Sequence, residues 1–167
     1  MVKKKEKKVL SSKRVSVIHT VAVREGSLLY GNRSIRNAKE AAEWMLPFVK
    51  DADKEYVIVC CMEGHNQPVS IEKVAVGILN QCLVGMREVF KNAILSNAAA
   101  IILYHNHPSG VVEPSQSDVA VSKRLKEAGA LLDIEILDHI ILGDNAFYSM
   151  SEHLNWGGWN ETECVMA

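Results

Sequence analysis

The chain has no run of eighteen apolar residues, so nothing in its 167 residues predicts a membrane-spanning helix. Its start lacks the apolar stretch and small-residue cleavage site of a secretory signal, and the expected location is therefore the cytoplasm. Cysteine is sparse, at Cys60, Cys61, Cys82 and Cys164. No two of these stand in Cys-x-x-Cys spacing, so a disulfide framework is not expected and buried thiols are. There is no internal repeat. Net charge is close to balance at −1, but it is unevenly spread: residues 1–14 hold seven Lys or Arg against one Glu, a net of +6, which leaves −7 on the remainder. That basic stretch contains no aromatic residue on which a base could stack. Lys3, Lys4, Lys5, Lys7 and Lys8 thus read as a solvated, disordered tail; weak nucleic-acid contact by phosphate neutralisation is the functional alternative.

What remains is the composition of one globular domain, 48% apolar and 23% charged. We expect the domain over residues 15–150, after the tail at 1–14 and before a C-terminal extension at 151–167. Val15 to Val23 alternates Val15, Val17, His19, Val21 and Val23, and predicts a strand, with His19 a packed or edge residue. Asn37 to Val49 predicts a helix, with Ala38, Ala41, Ala42, Met45 and Leu46 on one face. Tyr56 to Met62 and Val69 to Val76 flank the turn Gly64-His65-Asn66-Gln67-Pro68 and read as a hairpin. Met86 to Ser96 is a helix, Ala99 to Tyr104 a strand apolar on both faces, and Ser115 to Ala128 a helix expected to stop at Gly129. Leu132 to Leu142 and Phe147 to Met150 finish as strands. The order β-α-β-β-α-β-α-β-β makes the fold class α/β, a mixed sheet flanked by helices. The stretch holding His153, Trp156 and Trp159 either folds back on the core or forms a partner surface.

The chemistry concentrates in one block, His105-Asn106-His107-Pro108 followed by Ser115 and Asp118. Side chains alternate along a strand, so His105 and His107, one residue apart at a strand end, project to the same side. Pro108-Ser109-Gly110 then turns the chain. Ser115 is placed as a helix N-cap, which puts Asp118 at the third helical position, where the helix dipole favours an anion. Two imidazoles and one carboxylate, with a fourth position open to water, are how a catalytic zinc is held. The bland readings are surface histidines and a cap-related aspartate; the whole string on a strand–loop–helix frame is harder to obtain by chance.

This block resembles the JAMM metalloprotease motif, also called MPN or JAB, and in its wording the RadC family of that superfamily. The similarity extends to Arg87-Glu88-Val89-Phe90, Asn97-Ala98-Ala99-Ala100, Glu113-Pro114 and Leu137-Asp138-His139-Ile140-Ile141-Leu142, and covers about residues 37–150. Where many relatives carry His-Pro before the Arg-Glu pair, this chain has Gly85-Met86, which puts the start of that helix in doubt. The helix-hairpin-helix region of longer relatives is absent, so its DNA contacts are not carried over.

The resemblance implies a cytidine deaminase-like fold and one zinc ion on His105, His107 and Asp118. It implies Glu55, between the first helix and the Tyr56–Met62 strand, as the base that takes a proton from water. Without it, Glu55 belongs to an ordinary charged loop with Asp51, Asp53 and Lys54. Ser115 is implied as a donor to the oxyanion, besides its capping role. Glu88 is the rival carboxylate, and with Arg87 equally a structural ion pair. Asp138 and His139 are candidates to brace a ligand imidazole, or a buried structural pair. The implied activity is hydrolysis of an amide or isopeptide bond in a peptide or protein substrate. A repair-associated module that binds nucleic acid or protein, suggested by the family name and the basic tail, and a catalytically silent scaffold are the two alternatives.

Overall fold

The computed structural model describes residues 15–27, 34–77, 84–156 and 159. The lysines of the basic tail, together with Cys82 and Cys164, lie outside them.

Helix α1, Ala38–Val49, starts where the Asn37 side chain accepts the Glu40 N–H at 2.9 Å, leaving one fewer unpaired donor in the first turn. It buries the small and apolar face Ala38, Ala41, Ala42, Met45 and Val49. Strands β1, Tyr56–Met62, and β2, Pro68–Val76, form the expected antiparallel hairpin. Helix α2, Met86–Leu95, begins regularly at Gly85, whose extended backbone serves as N-cap without a side chain. Its first-turn carbonyl accepts from Glu88 and Val89, so the Gly85-Met86 departure leaves the start of the helix intact. Strand β3, Ala100–Asn106, is buried at every position and pairs antiparallel with β1 and parallel with β4. Helix α3, Gln116–Leu132, makes the crossover to β4, Glu135–Leu142; β5, Phe147–Ser149, returns antiparallel, and α4, Met150–His153, follows. The sheet order is β2-β1-β3-β4-β5. Among the described residues, no helix is long and apolar enough to cross a membrane.

Alternation along the strands splits the core in two. Ile58, Cys60, Ile102 and Tyr104 pack beneath α1, whereas Val59, Cys61, Ile101 and Leu103 meet α2 and α3 on the opposite face. Both thiols are free and buried, and burial pushes each above its ordinary pKa, as the cysteine pattern led us to expect.

Three expectations fail. Val15 to Val23 forms no strand: its valines are exposed and no described strand pairs with them, so alternation there lacks the ladder that makes a strand. Helix α3 does not stop at Gly129 but runs on to Leu132, and Asp133 ends it in the left-handed conformation at φ 54°. Leu132, expected to open the following strand, therefore belongs to the helix and is exposed, as is Leu131 beside it. Gly129 serves close packing, since a Cβ there would lie 2.5 Å from the Ile134 carbonyl. Lastly, the chain at Met150 turns helical instead of extending β5, capped by the Ser149 hydroxyl.

One irregularity in β4 decides what reaches the site. Opposite β3, Ile101 pairs with Ile136 but Ile102 pairs with Asp138, so Leu137 is an inserted residue, a bulge. Leu137 and Asp138 consequently face the α1 side, and His139 is turned toward α3 and His105.

Candidate metal centre

His105 is the penultimate residue of β3 and is 1% exposed. The same face carries Ile101 and Leu103 onto α2 and α3, so strand alternation aims His105 at the N-terminus of α3. His107 follows one residue past the strand and is held on both sides. Its N–H donates to the Leu142 carbonyl at 2.9 Å, and its Nδ1 lies 2.5 Å from the Val111 carbonyl. A carbonyl only accepts, so the His107 hydrogen sits on Nδ1 and its Nε2 carries a lone pair.

The loop that supplies Val111 is clamped from below. Gly110, at φ 78°, closes the turn by donating to the His107 carbonyl at 2.9 Å. A Cβ on Gly143 would stand 2.4 Å from the Gly110 oxygen, so the β4–β5 turn touches the loop backbone to backbone.

Asp118 arrives as placed, in the first turn of α3, with 1% exposure. Ser115 and Asp118 form a capping box: the Ser115 hydroxyl accepts the Asp118 N–H at 3.2 Å, and Asp118 Oδ2 accepts the Ser115 N–H at 2.7 Å. The Ser115 hydroxyl hydrogen also goes to Oδ2, at 2.6 Å. Two contacts thus fix one carboxylate oxygen and leave the other, Oδ1, buried without a hydrogen-bond partner among the described residues. That oxygen faces His105 Nε2 at 3.8 Å.

The ligand atoms of His105, His107 and Asp118 all lie within 4.8 Å of one another. Their arrangement fits a cation. Oδ1 is an orphaned buried acceptor, which costs free energy unless something positive meets it. His105 Nε2 and His107 Nε2 stand 2.6 Å apart. Burial holds His105 down at about pKa 4, with His107 lowering it further and the Asp118 carboxylate opposing, so its ring is the neutral ligand form at ordinary pH.

The other sequence candidates are sorted by the sheet. His139 joins the centre, its Nε2 lying 3.1 Å from His105 Nδ1. Asp138 does not: the bulge turns it to the far face, where Oδ1 accepts from the His139 and Ser151 N–H groups and Oδ2 from Ser149 and Trp159. It anchors Ser149, Ser151 and Trp159, and Trp156 and Trp159 pack against the two halves of the core. Glu88 is also elsewhere, fully exposed and bound at 2.6 Å by Lys91, which holds its carboxyl below the usual range. Its ion-pair partner is Lys91, rather than Arg87.

Glu55 immediately precedes β1 and is half-buried. Its peptide is pinned to the site by a residue that sequence reasoning passed over. Asn106, between the two histidines, accepts the Tyr56 N–H at 2.8 Å and donates to the Lys54 carbonyl at 3.0 Å, gripping the backbone on either side of Glu55. Gly77, one residue past β2, donates its N–H to the Glu55 carbonyl at 2.9 Å. Ser122 is the second residue missed: it bonds His139 at 2.7 Å. Its spacing of four from Asp118 on one helix is the signal that could have found it; nothing in sequence marks Asn106 beyond its place between two histidines.

With this geometry, the comparison with known proteins is decisive. The family model described as a RadC-like JAB domain matches residues 35–156. The chain belongs to the RadC-like JAB domain family. It is 45% identical over 122 residues to a UPF0758 protein of Chlorobium phaeovibrioides, covering 73% of this chain and 55% of that one. A UPF0758 protein of Moorella thermoacetica is 48% identical over 118 residues, 71% of this chain and 52% of its own. One from Staphylococcus aureus is 42% identical over 130 residues, 77% of this chain and 60% of its own. The chain therefore spans little more than half the length of these relatives. The mixed sheet with flanking helices is consistent with a JAB domain, and its His-His-Asp group is a possible metal site of that domain.

Proposed function

We propose that this RadC-like domain is a zinc-dependent hydrolase of the JAMM type, acting on an amide or isopeptide bond of a peptide or protein. The carrying observation is the convergence of His105, His107 and Asp118, with Oδ1 buried and without a hydrogen-bond partner among the described residues. These three would hold the ion, and the mixed imidazole and carboxylate donor set suits zinc. A bound zinc would supply a Lewis acid that lowers the pKa of a water to about 7.

The remaining work falls to side chains of the chain. Glu55 takes the proton from the attacking water and returns it to the leaving nitrogen. Support comes from the grip of Asn106 on its flanking peptides and from alternation: Tyr56 packs on the α1 side and Val57 on the other, so continuing that pattern one step back from β1 would put Glu55 on the side that His105 occupies. The Ser115 hydroxyl, once turned from Asp118 Oδ2, donates to the oxyanion on the attacked carbonyl, and the Ser115 N–H keeps hold of the carboxylate.

Elemental analysis of the purified protein tests the centre. One zinc per chain is expected in the wild type and in Glu55→Gln, and none in His105→Ala or Asp118→Ala. Release of new amines from a fluorogenic peptide pool and from isopeptide-linked conjugates tests the chemistry. Glu55→Gln should slow it by 10²-fold or more. Full turnover in Glu55→Gln would remove that residue as the base. Equal zinc in the ligand variants would remove the centre.

A further inference from the structure

Ser122 stands between two acceptors' worth of demand with one hydrogen to give. Its Oγ lies 2.8 Å from the Asp118 main-chain carbonyl and 2.7 Å from His139 Nδ1. The carbonyl cannot donate, so the hydroxyl hydrogen goes to it, as in the usual helical back-bond to the residue four earlier. What Ser122 presents to His139 is then a lone pair, and His139 must carry its hydrogen on Nδ1. His139 is 2% exposed and, among the described residues, no carboxylate is bonded to its ring, so it is a neutral imidazole with a single N–H. Its Nε2 is therefore bare. That nitrogen lies 3.1 Å from His105 Nδ1 and accepts a hydrogen from it. His105 is left with its own Nε2 bare, directed at Asp118 Oδ1 and at the equally bare His107 Nε2 2.6 Å away, a meeting of lone pairs that only a shared cation relieves.

We propose that His139, held by Ser122, is a positioning residue that locks His105 in the one tautomer able to bind a cation through Nε2. The proposal rests on the reading of His105 as a metal ligand. The direction of the whole relay is set by a single group, the Asp118 carbonyl. One residue of α3 thus contributes a carboxylate to the centre and, through its main chain, fixes the ring of a second ligand. Were the relay reversed, a hydrogen on His105 Nε2 would occupy the space between the three ligand atoms. The bulge at Leu137 is what makes the relay possible, since regular alternation would turn His139 to the other face.

The first test needs no metal. Long-range proton–nitrogen correlation spectra of the metal-free wild type should show His105 and His139 each protonated at Nδ1 and bare at Nε2. A hydrogen on His105 Nε2 would overturn the proposal. The second test titrates zinc against a chromophoric chelator. Ser122→Ala, which takes away the lone pair that orients His139, should weaken zinc binding 10- to 100-fold, and His139→Leu should do the same by removing the acceptor. His139→Gln keeps a carbonyl acceptor and should bind within several-fold of the wild type. Should His139→Leu fail to fold, Ser122→Ala and the wild-type spectrum still decide. Zinc binding by the wild type with unchanged affinity in Ser122→Ala would overturn the relay alone. No zinc binding by a wild type with the expected tautomers would instead overturn the metal-centre reading.

Discussion

Asn106 shows how much a single amide can hold. It faces away from His105 and His107 on either side of it, yet its two hydrogen bonds fasten Lys54 and Tyr56, the neighbours of Glu55, to the end of β3. Asn106→Ala leaves a backbone N–H and a carbonyl of the half-buried β1 start without partners, at a cost of about 1–3 kcal/mol. It should lower the urea midpoint and reduce turnover through a misplaced Glu55, with zinc stoichiometry unchanged. Loss of zinc in this variant would show that Asn106 supports the ligands instead. Tyr104 makes the opposite case. Its hydroxyl is buried with no partner among the described residues, and burial pushes its pKa well above the usual range. Tyr104→Phe therefore removes an unsatisfied group at little loss of packing. The expected result is equal stability or a gain of about 1 kcal/mol in chemical denaturation; a loss of several kcal/mol would reveal a partner for that hydroxyl.

At the scale of elements, what sequence showed and what it hid have different physical origins. The capping box at Ser115 and Asp118 was legible because caps are local: residue type and a spacing of three are enough to name them. The hairpin and the buried β3 were legible because periodicity reports burial. The bulge in β4 was not, because an extra residue opposite β3 is a property of the pairing and leaves no mark in the run Glu135–Leu142. Asp138 and His139 consequently looked alike as candidates, and only the register separates the anchor from the ligand's neighbour. Gly129 was misread for a related reason. In sequence a glycine late in a helical pattern signals an end, but here it marks where α3 crosses close to the start of β4. Replacing glycine by alanine in a helix interior ordinarily stabilises by about 1 kcal/mol. Gly129→Ala should do the reverse and lower the melting temperature, because its Cβ would meet the Ile134 carbonyl at 2.5 Å and Ile136 at 3.0 Å. A raised melting temperature would mean that α3 and β4 part without cost.

At the scale of the molecule, the candidate centre joins three separate segments of the chain. His105 comes from the middle strand, His107 from the loop clamped on Gly143, and Asp118 from the helix that crosses to β4. Bringing these three side chains within 4.8 Å concentrates lone pairs and a carboxylate oxygen that has no hydrogen-bond partner among the described residues, an arrangement that opposes folding until a cation answers it. An ion bound to the folded chain and not to the unfolded one stabilises by mass action. Free zinc at one hundred times its dissociation constant should raise the unfolding free energy by about 2.7 kcal/mol, and a chelator should remove that gain. His107 offers the sharpest control, because it is only half-buried and lies outside both hydrophobic clusters. His107→Ala should leave the chelator-treated stability near that of the wild type while abolishing the rise on adding zinc, as read from paired urea titrations with and without the ion. If the variant gained as much from zinc as the wild type does, the ion would be binding elsewhere, and the tie between this centre and the fold would be lost.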